Sequence, residues 1–341
     1  MKSGKNIISI AAAGFFLLYA GSAYAAITGV CSNCHTMHNS QNGSQVTGVL
    51  QGALLNDDCA GCHSGPGNDA NHLDDVNGAP LVVATTPPST GGTAPYNYLP
   101  GGFFYDASVT GDKAFHNVQS PALGSLLADV DIGNTPPGWE AGEAPAGMPT
   151  GATWTTQLQC AGSSGCHGNH AQSDQNAAIS GWHHGGAAGT EYRMLSGISG
   201  VESATYVVTG NRYSAVNRTN ATNTISALCA QCHGAFHGEN ADTISSGAWV
   251  RHPTDLRLSN AVNGDNHNAF AGNAEVPVGS VGAGAPVAAT NAYVICISCH
   301  VAHGGPYADL LRWDYTLISA NTQGAGKGTG CFRCHTGKDG I

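Results

Sequence analysis

Six cysteine pairs, each followed at once by a histidine, constrain this chain more than any other feature. They are Cys31/Cys34-His35, Cys59/Cys62-His63, Cys160/Cys166-His167, Cys229/Cys232-His233, Cys296/Cys299-His300 and Cys331/Cys334-His335. Five read C-x-x-C-H, the attachment signature of c-type haem. The sixth, Cys160-Ala-Gly-Ser-Ser-Gly-Cys166-His167, has a longer loop between its cysteines. All 12 cysteines are used, so none is left over. With 16 histidines in 341 residues, six such junctions would arise by chance with odds on the order of 10⁻⁸.

The chemistry requires this order of residues. Each thiol adds to one vinyl group of a porphyrin, and the adjacent histidine then lies under the iron as its proximal ligand. Zinc ribbons also use C-x-x-C, but they have no obligatory histidine next door. Disulfides would leave that histidine unexplained. The pattern predicts six covalently attached haem c groups, with iron bound at His35, His63, His167, His233, His300 and His335. For Cys160/Cys166 the alternative is a small disulfide loop.

Residues 1–25 read as a secretory leader. Lys2 and Lys5 give a positive start, Ile7 to Ala20 an apolar stretch too short to span a bilayer, and Ala23-Tyr24-Ala25 a small-x-small cleavage site. An uncleaved anchor is the alternative. No later apolar run reaches spanning length. The expected location is outside the cell or on its outer surface, with the periplasm as the second possibility. The formal charge is −10, and it grows more negative once Lys2 and Lys5 leave. Such a surface disfavours nucleic acid and anionic lipid.

Charged residues make up only 10% of the chain, and there are 48 glycines. An ordinary side-chain core is not expected. Six porphyrins on residues 26–341 would mean one per roughly 53 residues, each burying apolar area worth roughly 25 cal/mol per Å². The predicted fold is mostly irregular coil with short α-helices and few short strands, organised around a chain of haems. Gly, Thr, Pro and Asn-rich tracts at Thr85–Gly102, Asn134–Gly151 and Gly272–Asn291 read as surface loops. Short helices are expected around Ile225–Phe236 and Pro306–Tyr315, and short strands at Leu81–Ala84 and Thr205–Thr209. No domain boundary is visible, so residues 26–341 form one haem-bearing unit. No internal repeat is apparent beyond the motif itself.

Each iron needs a second ligand. Ten histidines remain after the proximal six, against three methionines, Met37, Met148 and Met194, beyond the leader. Ligation by two histidines is the economical assignment, and it predicts low-spin irons of low potential. His38, His170 and His303 each follow a proximal histidine by three residues, and His237 follows His233 by four. Such a residue can hardly reach the far face of its own haem, but it can reach a neighbouring one. His116 and His252, in ordinary loop sequence, complete the set of distal ligands. His72 and His267 are substitutes. His183 and His184, beside Trp182, read as surface or propionate contacts.

These residues resemble the outer-surface multihaem c-type cytochromes of metal-reducing bacteria, among them filament-forming hexahaem members. Cys31-Ser-Asn-Cys-His-Thr-Met-His-Asn-Ser40 is similar to that family's opening motif. His116-Asn117, Tyr192-Arg193-Met194-Leu195, Arg251-His252-Pro253 and Cys296-Ile-Ser-Cys-His-Val-Ala-His303 follow in the family's order. The Cys160/Cys166 spacing departs from it. The resemblance implies six haems, each with two histidines, stacked in an alternating parallel and perpendicular chain. It implies that His38 leaves its own subunit to ligate the motif-five haem of the next, making a head-to-tail homopolymer. It further implies exchange of electrons with other redox cytochromes and extracellular acceptors. The expectation is electron transfer without catalysis. The rivals are a discrete periplasmic or outer-surface carrier and a multihaem oxyanion reductase, which would need an open iron.

Overall fold

The computed structural model of the chain describes residues 30–48, 51–64, 67–68, 73–74, 78–84, 100–105, 114–120, 133–141, 151–184, 191–202, 210–216, 222–237, 252–258, 276–283, 291–319 and 330–335. The leader, His72, His267 and the expected strand at Thr205–Thr209 lie outside these residues. Among the described residues, no helix is long and apolar enough to cross a membrane.

Most of the backbone is coil, turn and bend, as the composition leads one to expect. Four α-helices are described: α1 (Cys59–Cys62), α2 (Gln175–Ala178), α3 (Ile225–Ala230) and α4 (Cys296–Cys299). α1 and α4 are haem motifs, and α3 enters one at Cys229. Helices this short cannot sustain themselves by propensity, so capping matters. Asp58 accepts from the Gly61 N–H at 2.8 Å, Asp174 from the Ala177 N–H at 2.8 Å, and Thr224 from the Ala227 N–H at 3.0 Å. At α4 the Ser298 hydroxyl accepts from the Ile295 N–H and donates to the Pro277 carbonyl. The helix expected over Ile225–Phe236 ends at Ala230 and resumes as a 3-10 turn, Gly234–Phe236. Pro306–Tyr315 contains no α-helix, only the 3-10 turn Ala308–Leu310 and the start of another at Tyr315.

Sheet is sparse. Five short strands form one mixed sheet in the order Leu256–Arg257, Tyr293–Val294, Gly279–Ser280, Arg212–Ser214, Gly200–Val201. Arg212–Ser214 and Gly279–Ser280 run parallel, with Tyr213 opposite Gly279. A Cβ on Gly279 would lie 2.6 Å from that of Ala215, so only glycine fits there. The strand expected at Leu81–Ala84 is shortened to Val83–Ala84 and pairs with Phe104–Tyr105.

The apolar side chains gather into three small clusters rather than one core. Each packs against a motif cysteine. Tyr192, Ile198, Tyr213, Ile225 and Ile295 form one, with Cys166 packed against it. Leu258, Val278, Ala292 and Val294 lie against Cys334. Ala60, Phe104 and Val118 gather with Cys160.

Thr224 has no solvent exposure and holds the start of α3. Thr224→Ala is expected to cost about 1 kcal/mol, and Thr224→Ser to restore it. Thermal unfolding of the mature protein checks this.

Candidate functional site

The proximal histidines are aimed by backbone carbonyls. In five of them Nδ1–H donates to a carbonyl: His35 to Ala53 at 3.0 Å, His63 to Pro80 at 2.7 Å, His167 to Arg193 at 3.0 Å, His233 to Pro137 at 2.7 Å and His300 to Asp309 at 2.8 Å. That bond fixes the tautomer and leaves Nε2 as a lone pair for a metal.

The acceptors reveal a repeat that the spacing conceals. At motifs one, three and five the acceptor lies in a 3-10 turn: Gly52–Leu54, Tyr192–Met194 and Ala308–Leu310. In each turn two successive non-glycine residues are left-handed: Ala53 and Leu54 (φ 55° and 57°), Arg193 and Met194 (51° and 57°), Asp309 and Leu310 (57° and 56°). This conformation costs roughly 1–2 kcal/mol per residue; it also occurs at His38 and Asn39, but in these three turns it presents a carbonyl to an odd-numbered motif. The next residue of each turn, Leu54, Met194 or Leu310, accepts from the backbone N–H of Thr36, Gly168 or Val301. At motifs two and four the acceptor is instead a proline carbonyl. The expectation of no internal repeat is therefore corrected: the supporting turn is itself repeated.

Two imidazoles bonded through nitrogen to one metal, each at about 2 Å, have ring centroids roughly 6 Å apart. Four pairs have that spacing. His35 faces His184 at 5.9 Å, His116 faces His233 at 6.2 Å, His167 faces His303 at 6.1 Å, and His252 faces His335 at 6.2 Å. Three of the four second partners also tie Nδ1 to a carbonyl: His116 to Ala302, His252 to Pro253 and His303 to Gly102. Burial holds His116 down to about 4 and His303 to about 3, so both stay uncharged imidazoles, able to accept a metal, at neutral pH. This donor set fits a porphyrin iron bound by two histidines.

The remaining candidates behave differently. His170 turns Nε2 back to the Cys166 carbonyl at 3.3 Å. His237 puts Nε2 on the buried carboxylate of Asp255 at 3.1 Å. Neither keeps the metal-binding nitrogen clear. His184, read from sequence as a surface or propionate contact, stands opposite His35. His183 beside it is held down to about 4 by burial first, and among charges most by His63. The only sequence signal for this pair is the doublet itself. His38 is exposed. His300 is exposed too, and among the described residues no histidine ring faces it.

The six motifs follow one another in space in their sequence order. Burial raises Cys62 to about 12, and it also feels Cys34. Cys59 and Cys160 lie close enough for their interaction to lower Cys59 and raise Cys160. Burial raises Cys232, and Cys166 adds to this. Cys229 and Cys296 lie together in the same way, their interaction raising Cys229 and lowering Cys296. Cys299 is raised to about 12 by burial, then by Cys331 and Cys334. Motif pairs two–three and four–five thus lie next to each other at their first cysteines. Sites three and four meet through their second histidines, where the His116 N–H donates to the His303 carbonyl at 3.1 Å. Gly304 makes this approach possible: a Cβ there would lie 2.5 Å from that of Phe115.

The long loop of motif three takes part in this series as the others do. Its insertion folds into a compact loop, closed by Gly162 N–H to His167 carbonyl and Gly165 N–H to Gly162 carbonyl bonds at 3.0 Å. Cys160 meets Cys59 as Cys296 meets Cys229. All twelve cysteines, Cys160 and Cys166 included, are free of disulfides.

This chain is similar to a c-type cytochrome. A family model described as a doubled CXXCH motif matches residues 285–340. The C-type cytochrome OmcS of Geobacter sulfurreducens is 28% identical over 316 aligned residues, covering 74% of this chain and 66% of that protein. The chain thus spans just under two thirds of that relative's length. Among solved structures, an outer membrane cytochrome S filament from Geobacter sulfurreducens is 20% identical over 85% of each chain, with a TM-score of 0.42. OmcS nanowires from the same organism, seen by cryo-EM, are 20% identical over 82% of each chain, with a TM-score of 0.38. The C-x-x-C-H motifs and the sequence similarity to the C-type cytochrome OmcS support covalently bound haem c.

The ligand geometry separates two histidines that sequence could not rank. His184→Ala is expected to add one carbon monoxide-binding iron per chain to the reduced protein. His170→Ala is expected to add none. The opposite outcome would exchange their roles.

Proposed function

We propose that this chain is an extracellular c-type cytochrome that carries electrons along six covalently attached haems, each held by two histidines, and that it assembles head to tail. The observation that carries this reading is the unbroken spatial series of motifs, with facing imidazoles 5.9–6.2 Å apart at four of them. When bound, each haem supplies an iron that takes up and releases one electron.

The residues of the chain do the rest. The twelve cysteines fix the cofactor edges, and the closeness of Cys59 to Cys160 and of Cys229 to Cys296 brings neighbouring attachment edges together. The carbonyls of Ala53, Pro80, Arg193, Pro137 and Asp309 hold the proximal imidazoles in one tautomer. His184, His183, His303, His116 and His252 serve as second ligands at motifs one, two, three, four and six. Cys160 and Cys166 hold one haem through their enlarged loop, since their thiols and His167 occupy the same relations as those of the regular motifs. No substrate is bound or transformed. The likeness to OmcS and the reading of residues 1–25 as a leader support a place outside the cell.

Motif five lacks a second ligand of its own under this assignment. His38 is the exposed candidate that remains. It lines a hollow with Thr36, Gln51, Leu54 and Leu55. Val30 (67% exposed), Met37 (74%) and Leu54 (53%) place apolar surface on the same N-terminal segment. A second copy that brings His300 to His38 would complete the ligand set and cover this surface. The joint also passes electrons from one subunit to the next.

The experiment is His38→Ala. The expected product keeps every haem, leaves one open iron per subunit and forms no filaments in electron micrographs. Filaments that persist in the variant contradict the joint.

A further inference from the structure

His38 and Asn39 are left-handed, at φ 60° and 54°, but their strain does not aim a carbonyl. None of the carbonyls that hold imidazoles lies in residues 39–47. That segment instead closes on itself as a clip. Asn39 Nδ2 donates to the Thr47 carbonyl at 2.9 Å, and the Thr47 N–H donates to Asn39 Oδ1 at 3.2 Å. The side-chain amide thus pairs with both backbone groups of Thr47, as a strand residue does. The Val46 N–H donates to the Asn39 carbonyl at 3.1 Å. Inside the clip, Ser40–Gln41 and Ser44–Gln45 run antiparallel. They are joined by Asn42-Gly43, at φ 52° and 79°, the two-residue turn that suits a hairpin.

The chain before His38 is fixed as well. The Ser40 N–H and hydroxyl both donate to the Met37 carbonyl, at 3.1 and 3.0 Å. The Thr36 N–H donates to the Leu54 carbonyl at 2.7 Å. His38 is therefore held from both flanks while its side chain stays exposed. Both strands of the clip are exposed too, so it adds little to the packing of its own subunit. Strained backbone persists only where its surroundings over-determine it, and it collects at functional sites. Residues 26–56 also hold no Asp, Glu, Lys or Arg, in a chain of formal charge −10. Two copies of an acidic chain repel, and an uncharged segment is where they approach at least electrostatic cost.

We propose that Asn39 is the positioning residue of the subunit joint. Its amide closes the clip and keeps His38 ordered and outward before a second copy arrives, so that joining needs little ordering of the segment. This rests on the reading that His38 ligates the motif-five iron of that copy. Asn39 touches no iron. It tolerates the left-handed backbone better than most residues with a Cβ, and it supplies both bonds to Thr47.

The test compares mature holoprotein of the parent with Asn39→Ala, Asn39→Gly and His38→Ala. Haem count comes from intact mass, assembly from sedimentation over a range of protein concentrations, and open iron from the high-spin signal in electron paramagnetic resonance. Asn39→Ala is expected to keep every haem and to raise the concentration needed for filaments at least tenfold. One iron per subunit is expected to be high-spin below that concentration and low-spin above it. His38→Ala is expected to keep that iron high-spin throughout. Asn39→Gly separates backbone from amide, since glycine takes up the left-handed conformation freely but cannot bond Thr47. It is expected to behave as Asn39→Ala does. Either variant assembling at the parent's concentration overturns the proposal. Loss of haem from both also overturns it, because Asn39 would then serve the fold of its own subunit. Filaments that persist in His38→Ala would instead overturn the underlying reading.

Discussion

The structure depends on a single kind of bond: a histidine Nδ1–H given to a backbone carbonyl. It appears at five proximal histidines and three second ones. Each bond decides which nitrogen is protonated, which way the ring points and therefore where a metal can sit. The chain spends its scarce regular structure on supplying these carbonyls. Three turns take up left-handed backbone at non-glycine residues to do so, and two prolines do the same with a fixed φ.

That constraint explains the rest of the architecture. Helices of four to six residues and strands of two or three residues bury too little side-chain area to form a core. The apolar clusters are small, and each packs against a motif cysteine. Porphyrin faces are the natural filling for such a frame, because burial scales with apolar area whatever group supplies it. Folding and cofactor attachment are then parts of one process.

Much of this was legible in the sequence, and the gaps have physical causes. The cysteine–histidine junctions announce themselves because covalent chemistry permits little variation in spacing. The sparse secondary structure follows from glycine and the low charge content. His116, His252 and His303 each face a motif histidine. His170 and His237 turn Nε2 to a carbonyl and a carboxylate, and local spacing says nothing about which ring nitrogen stays clear. His183-His184 looked like surface beside Trp182 and two glycines, yet tertiary folding brings His184 to His35. The supporting turns were hidden for two reasons. Gly-Ala-Leu-Leu, Tyr-Arg-Met-Leu and Ala-Asp-Leu-Leu share little beyond their last apolar residues. They also lie 18, 26 and 9 residues from the histidines they serve. Left-handed backbone without glycine leaves no mark in a sequence.

The account stands or falls on whether every cysteine pair, including the long-looped Cys160/Cys166, carries a cofactor. The intact mass of the protein purified from its native host measures this directly. The expected mass is that of the polypeptide plus six haems. Five haems would remove motif three from the relay, and the mass of the bare polypeptide would contradict the account altogether.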